Sequence, residues 1–208
     1  GCPAFYGRVI RGVKNGPSPD WMQVRLKAAG QRPISALVDC TNYLMLACGR
    51  PAHAYDLAKL NGAVVARRAA EGETVTALNG KDYTLNAEMT VIADDSGVHD
   101  IAGIMGGEHS GCSDDTTDVL LEVAFFQPDA VAGRGRRYGL VTDASQRFER
   151  GVDPVVSAEY RTHHTRVDFH TQSTFQRGPL LLHLGQESVE RWGAVRTQQS
   201  VAEGRDVA

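Results

Sequence analysis

The sequence predicts an α+β fold of mixed, mainly antiparallel sheets with short flanking helices. Short runs of β-type alternation recur between Phe5 and Val123, and the segments with helical spacing are brief and bounded by cap residues. The two kinds of segment mix without the regular βαβ repeat that a doubly wound sheet needs. Asn79-Gly80 adds the strongest hairpin signal in the chain, since both central positions of a type I′ turn require positive φ.

Taken in order, Phe5 to Val13 alternates as a strand until Lys14-Asn15-Gly16-Pro17 breaks it. Ser18 is the expected N-cap of a helix with Pro19 at its first position, apolar residues Trp21, Val24 and Ala28, and Gly30 as its end. Ile34 to Asp39 reads as a short strand, and Thr41 to Cys48 as a helix stopped by Gly49. Ala63 to Ala69 and Thr74 to Leu78 read as strands on the near side of Asn79-Gly80. Tyr83 to Leu85, Val91 to Asp94 and Val119 to Val123 follow, with a turn at Asp95-Ser96-Gly97. Gln127 to Arg137 is expected to be helical with Pro128 early in it. Asp143 is the expected cap of a two-turn helix, with Gln146 three residues on and Gly151 at the end. After Pro154 the periodicity fades. Tyr160 to Gln176 is polar, Leu180 to Leu184 is an isolated apolar run, and a domain boundary is expected near residue 154.

At 208 residues the chain can bury a sizeable core, and a net charge of −3 does not suit a general nucleic-acid binder. Any phosphate contact therefore needs a local basic patch, which Arg134, Arg136, Arg137, Arg147 and Arg150 could supply; a solvated charged face is the alternative. No apolar run approaches the roughly 20 residues of a membrane helix. Gly1-Cys2-Pro3 leads directly into a strand pattern, so no signal peptide is expected. Cys2, Cys40, Cys48 and Cys112 are widely spaced, which argues against a zinc site or a disulfide framework.

Four segments could carry chemistry. In Arg50-Pro51-Ala52-His53-Ala54-Tyr55-Asp56, His53 either orients a water or an acyl ester, or is held by backbone at a turn. Ile101 to Gly111 is glycine-rich without the pattern of a P-loop or a dinucleotide turn. Its glycines either let backbone approach a ligand or pack a tight β corner. Glu122 interrupts the apolar run Val119 to Phe126, and by alternation it either meets solvent or faces a cavity that offers a donor. The twenty-one residues from Arg134 to Pro154 combine clustered arginines, a glycine turn, a Thr-Asp step and a short capped helix. His163-His164 and His170 have no convincing ligand spacing.

Together these segments resemble the central editing module of the bacterial phenylalanyl-tRNA synthetase beta subunit. The resemblance rests on Cys2-Pro3, Gly7-Arg8-Val9-Ile10, Val38-Asp39-Cys40-Thr41-Asn42-Tyr43 and Gly49-Arg50-Pro51-Ala52-His53-Ala54-Tyr55-Asp56. It continues through Ala102-Gly103-Ile104-Met105-Gly106-Gly107-Glu108, Leu121-Glu122-Val123-Ala124-Phe125-Phe126 and the Arg134–Pro154 run. It covers residues 1–154 in order, which the resemblance makes one editing-type domain, with 155–208 as an atypical tail, poorly ordered or frameshifted.

What the resemblance implies is hydrolysis of tyrosine wrongly esterified to the tRNA for phenylalanine. In that reading Glu122 accepts the tyrosine hydroxyl, and His53 positions the acylated tRNA end and the attacking water. Arg32, Thr41 and Asn42 line the entrance and hold the terminal adenosine; Gly106, Thr142 and Ala144 form pocket walls. The resemblance implies no cofactor and no metal. It implies the acceptor end of tRNA(Phe) and the synthetase alpha subunit as partners, no DNA or membrane, and a cytoplasmic location. Aminoacylation is expected in the alpha subunit and not in this chain. A non-catalytic scaffold module of the synthetase heterotetramer and a free-standing deacylase for another aromatic acyl-tRNA are the alternatives.

Overall fold

The computed structural model describes residues 1–154 and a two-residue strand at Gly193–Ala194. It is an α+β arrangement in which every strand pairing is antiparallel. The largest sheet is built on β1 (Ala4–Ile10), which pairs along its whole length with β8 (Val119–Phe125). On the far edge of β8 lies β2 (His53–Asp56), and β9 (Gly193–Ala194) meets β1 at Tyr6 and Gly7. A second sheet orders β3 (Val65–Arg68), β6 (Thr90–Asp94) and β7 (Gly97–Ile101), and β4 (Thr74–Thr76) forms a hairpin with β5 (Asp82–Thr84).

One apolar core joins the three sheets. Phe5, Tyr55, Val75, Leu85, Val91, Ile92, Ile101, Ala124 and Phe126 are buried in it together with Val131 and Phe148 from the helices after β8. A smaller cluster of Met22, Leu26 and Tyr43 joins α1 (Asp20–Ala28) to α2 (Ala36–Cys48). None of the described helices is long and apolar enough to cross a membrane. All four cysteines are free thiols. Burial pushes the Cys2 and Cys40 thiols up to about 12 and that of Cys112 up to about 11.

Several local expectations need correction. Ile34 to Asp39 is not a strand: α2 already starts at Ala36. Asp39 turns inward to accept from Ser18 Oγ and from the Ile34 N–H at 2.8 Å, which ties the first turn of α2 to the segment before α1. Ser18 is thereby used as a donor to Asp39, and Pro19 takes the cap position of α1. The buried face of α1 is Met22 and Leu26, whereas Trp21 and Val24 are exposed. The Asn79-Gly80 hairpin has a three-residue loop: the Ala77 N–H donates to the Lys81 carbonyl at 2.9 Å around Leu78-Asn79-Gly80, with Gly80 at φ 71°. The helix expected over Gln127 to Arg137 is two single turns, α3 (Pro128–Val131) and α4 (Arg134–Arg137), broken at Gly133, whose φ of 71° no continuing helix allows. β2 and β7 had no strand expectation. Tyr160 to Gln176 with its histidines, and Leu180 to Leu184, lie outside the described residues.

Candidate active site

His53 and Glu122 stand directly across from each other in the β2–β8 ladder, so their side chains share one face of the sheet. Tyr55, two residues further along β2, points the same way. Glu122 is only 6% exposed, so it faces the interior and not solvent. Its Oε2 lies 2.8 Å from the Tyr55 hydroxyl, and that same hydroxyl meets Asp100 on β7. The other oxygen of Asp100 accepts the Gly107 N–H at 2.9 Å and lies 3.8 Å from His53 Nε2.

These groups border a cavity of about 90 Å³ lined by Pro51, Ala52, His53, the loop from Asp100 to Gly106, Glu122, Phe126, Ala144 and Phe148. The lining is apolar apart from His53, Asp100 and Glu122. Phe126 and Phe148 meet edge to face at 4.9 Å between ring centres. His53 stacks edge-on against Tyr55 at 4.5 Å, and its Nε2 has no hydrogen-bond partner among the described residues. An orphaned ring nitrogen on a cavity wall can hold a water or a substrate oxygen.

Burial and the charge of Asp100 push the Glu122 carboxyl up to about 8, against weaker opposing pulls from the Tyr55 hydrogen bond and Arg50. Arg50 is itself buried and clamps the ladder by donating to the Ala124 carbonyl at 2.8 Å and the Asp153 carbonyl at 3.1 Å. Tyr55 is pushed far above the usual phenol range by burial and then by Asp100 and Glu122, so it stays protonated.

The remaining expected site residues divide into two groups. Gly106 and Ala144 line the cavity. A Cβ on Gly106 would stand 2.7 Å from His53 Cε1, so the bare backbone there is what lets the histidine ring fit. Thr142 sits beside the cavity. Its hydroxyl donates to the Ile104 carbonyl at 2.7 Å, fastening the start of α5 (Asp143–Arg150) to the glycine-rich loop. Thr142 is also the N-cap of α5, in a capping box with Ser145, one position before the expected cap at Asp143.

Arg32, Thr41 and Asn42 do not line the cavity. Thr41 turns back on its own helix to the Val38 carbonyl at 2.8 Å. Arg32 is exposed on the loop between α1 and α2, and its neighbour Gln31 donates to Asp143 at 2.8 Å, which seats that loop against the first turn of α5.

The five clustered arginines are all engaged within the chain. Arg136 pairs with Glu149 and Arg137 with Glu88, Arg147 with Asp143; Arg134 reaches the Asp129 carbonyl and Arg150 the Gln146 side chain and carbonyl. The geometry favours the solvated charged face over a preformed phosphate path.

Sequence reasoning missed Tyr55 and Asp100. Tyr55 was visible two positions from His53, given a strand. Asp100 was missed because β7 was not read as a strand, and a register shift between Ile92 and Ala93, which leaves His99 with no ladder partner on β6, breaks the alternation that would have assigned its faces. In the glycine-rich segment Gly106 borders the cavity, and Gly107 makes an isolated bridge to Ala77 in a tight β corner, the packing role expected of it.

Comparison with known proteins places these motifs in a family. The B3/4 domain matches residues 1–165. A phenylalanine–tRNA ligase beta subunit from Novosphingobium aromaticivorans is 75% identical over 154 residues, 74% of this chain and 19% of that protein. The corresponding subunit from Mesorhizobium japonicum is 60% identical over 153 residues, again 74% of this chain and 19% of that protein. The chain thus spans about a fifth of the length of the curated relatives it matches. Among solved structures, an N-terminal fragment of the phenylalanyl-tRNA synthetase beta subunit from Pyrococcus horikoshii aligns at a TM-score of 0.44 and 14% identity, over 59% of this chain and 39% of that one. With the matched range taking in every element that builds the cavity, the chain belongs to the B3/4 domain family.

Proposed function

We propose that this chain is the editing module of a phenylalanyl-tRNA synthetase beta subunit and hydrolyses tyrosine esterified to tRNA(Phe). The observation that carries the reading is Glu122, a buried carboxyl bordering an otherwise largely apolar cavity, directly across a strand pair from a histidine with an orphaned Nε2. A pocket that selects phenylalanine by shape rejects an added hydroxyl poorly. A second site built to hydrogen-bond that hydroxyl discriminates by roughly 10⁴-fold or more, because phenylalanine leaves its polar group unpaired. Glu122 accepts the tyrosine hydroxyl in this reading.

Water is the nucleophile and the only co-reactant. It adds to the ester carbonyl carbon, the bond to the ribose oxygen breaks, and that oxygen takes up the proton the water gives up. His53 holds the water or the ester oxygen. Gly106 and Ala144 wall the pocket, while Thr142 holds α5 against the loop that forms it. Arg32, Thr41 and Asn42 serve the tRNA end outside the cavity. The acceptor end of tRNA(Phe) and the alpha subunit are the proposed partners, in the cytoplasm. Residues 1–154 are the proposed domain.

Deacylation of purified Tyr-tRNA(Phe) by the full chain tests this. The expected result is hydrolysis of the tyrosyl ester with the phenylalanyl ester spared. Glu122→Ala and His53→Ala are each expected to reduce the rate about 10- to 100-fold. Full activity in the double variant would sink the residue assignment. A second reading, a scaffold module of the synthetase heterotetramer, is favoured by the exposed Trp21, Val24 and Ile34. A folded chain that hydrolyses neither ester but binds the alpha subunit selects it.

A further inference from the structure

The Tyr55 hydroxyl has one proton and two carboxyl groups within hydrogen-bond reach, Asp100 on one side and Glu122 on the other. Both contacts can be hydrogen bonds only if one carboxyl is itself protonated. The surroundings decide which. Asp100 accepts the Gly107 N–H at 2.9 Å through the oxygen that does not meet Tyr55, a donor that suits a carboxylate there. Glu122 sits in an apolar strand, and among the described residues only its Oε2 meets a hydrogen-bonding group.

We propose that Asp100 and Tyr55 act as positioning residues that hold Glu122 as a neutral acid, with its proton on Oε2 and its carbonyl-type oxygen Oε1 left to the cavity. The order of donation is Glu122 Oε2–H to Tyr55, and Tyr55 O–H to the Asp100 carboxylate. A neutral acid locked in this rotamer offers the cavity an acceptor and no donor. It therefore selects a ligand bearing a hydroxyl donor, and an anion need not be stripped of water for it to do so. The role in recognition rests on the editing function proposed above; the proton arrangement does not.

The ionisable groups that bear on Glu122 are Tyr55 and His53 from β2, Asp100 from β7, Arg50 from the segment before β2, and Cys2 ahead of β1. Burial and Asp100 both raise the Glu122 carboxyl, in agreement with the geometry.

Infrared spectroscopy of the full chain tests the arrangement without using activity. A protonated-carboxyl band at neutral pH, absent in Glu122→Gln, is expected. In Tyr55→Phe that band should move to higher frequency, since the acid proton loses its acceptor. In Asp100→Asn its titration midpoint should fall, because the charge that disfavours ionisation has gone. Absence of a Glu122 acid band near neutral pH in the unsubstituted chain overturns the proposal even if neither variant folds. A band unmoved in both folded variants overturns it as well.

Kinetics then test the role. In Tyr55→Phe the preference for the tyrosyl over the phenylalanyl ester should drop about tenfold, through KM more than kcat. An unchanged preference overturns the recognition role. If the band behaves as expected in a chain that deacylates neither ester, the proton arrangement stands and the editing reading falls.

Discussion

Burying a charged carboxylate without a partner costs several kcal/mol, so a glutamate inside Val119-Leu120-Leu121-Glu122-Val123-Ala124 is stable only if it is neutral or paired. Burial and the charge of Asp100 raise the Glu122 carboxyl to about 8, which favours the neutral form at and below neutral pH. The sign follows from linkage. Between the ordinary carboxylate value, 4.5, and 8 the folded chain binds a proton that the unfolded chain has released. The stabilising contribution is complete below the lower value and is lost as pH rises through the upper one. Glu122→Gln removes that titration and keeps a partner for Tyr55. Relative to the unsubstituted chain it should gain on the order of 2–4 kcal/mol in urea unfolding between about pH 5 and about pH 9. A pH-independent difference between the two proteins would show that Glu122 is not raised.

Single elements show where local rules held and where packing overrode them. The helix at Asp143 and its end at Gly151 were legible because caps are local chemistry, and the error was a single position: Thr142 takes the cap and Ser145 closes the box. That shift has consequences, since the same hydroxyl holds the Ile104 carbonyl. Thr142→Ala removes both bonds and is expected to cost about 1–2 kcal/mol in chemical denaturation, whereas Thr142→Ser keeps the oxygen and should cost far less. Equal losses in the two variants would assign the effect to the methyl group instead. The first half of α2 was misread because Ile34, Leu37 and Val38 form a short apolar run, which periodicity cannot assign to strand or helix. The partners that decide it, Ser18 and Tyr43's neighbours Met22 and Leu26, come from a different segment.

At the scale of the whole molecule, the described core runs from Cys2 to Val152 and joins all three sheets. Residues 1–154 therefore contain every core side chain among the described residues. A chain ended after Pro154 keeps all of that core and, of the described strand pairings, loses only that of β9 with Tyr6 and Gly7, so it is expected to unfold in one cooperative transition at nearly the same midpoint as the full chain. A lower midpoint would place stabilising contacts in the region beyond. The sequence by itself determined the α+β class, most strand and helix positions, the turns at glycine and the motif run that resembles a module of the phenylalanyl-tRNA synthetase beta subunit, because these depend on residues close together in the chain. Only the tertiary structure decided that Glu122 faces a cavity, that its neighbours are Tyr55 and Asp100, and that the arginines answer to carboxylates and carbonyls of their own chain. Tyr55 and Glu122 are 67 positions apart, and they meet because β2 and β8 pair in one register. No local pattern carries that register, and shifting it by one residue would turn Glu122 away from both partners.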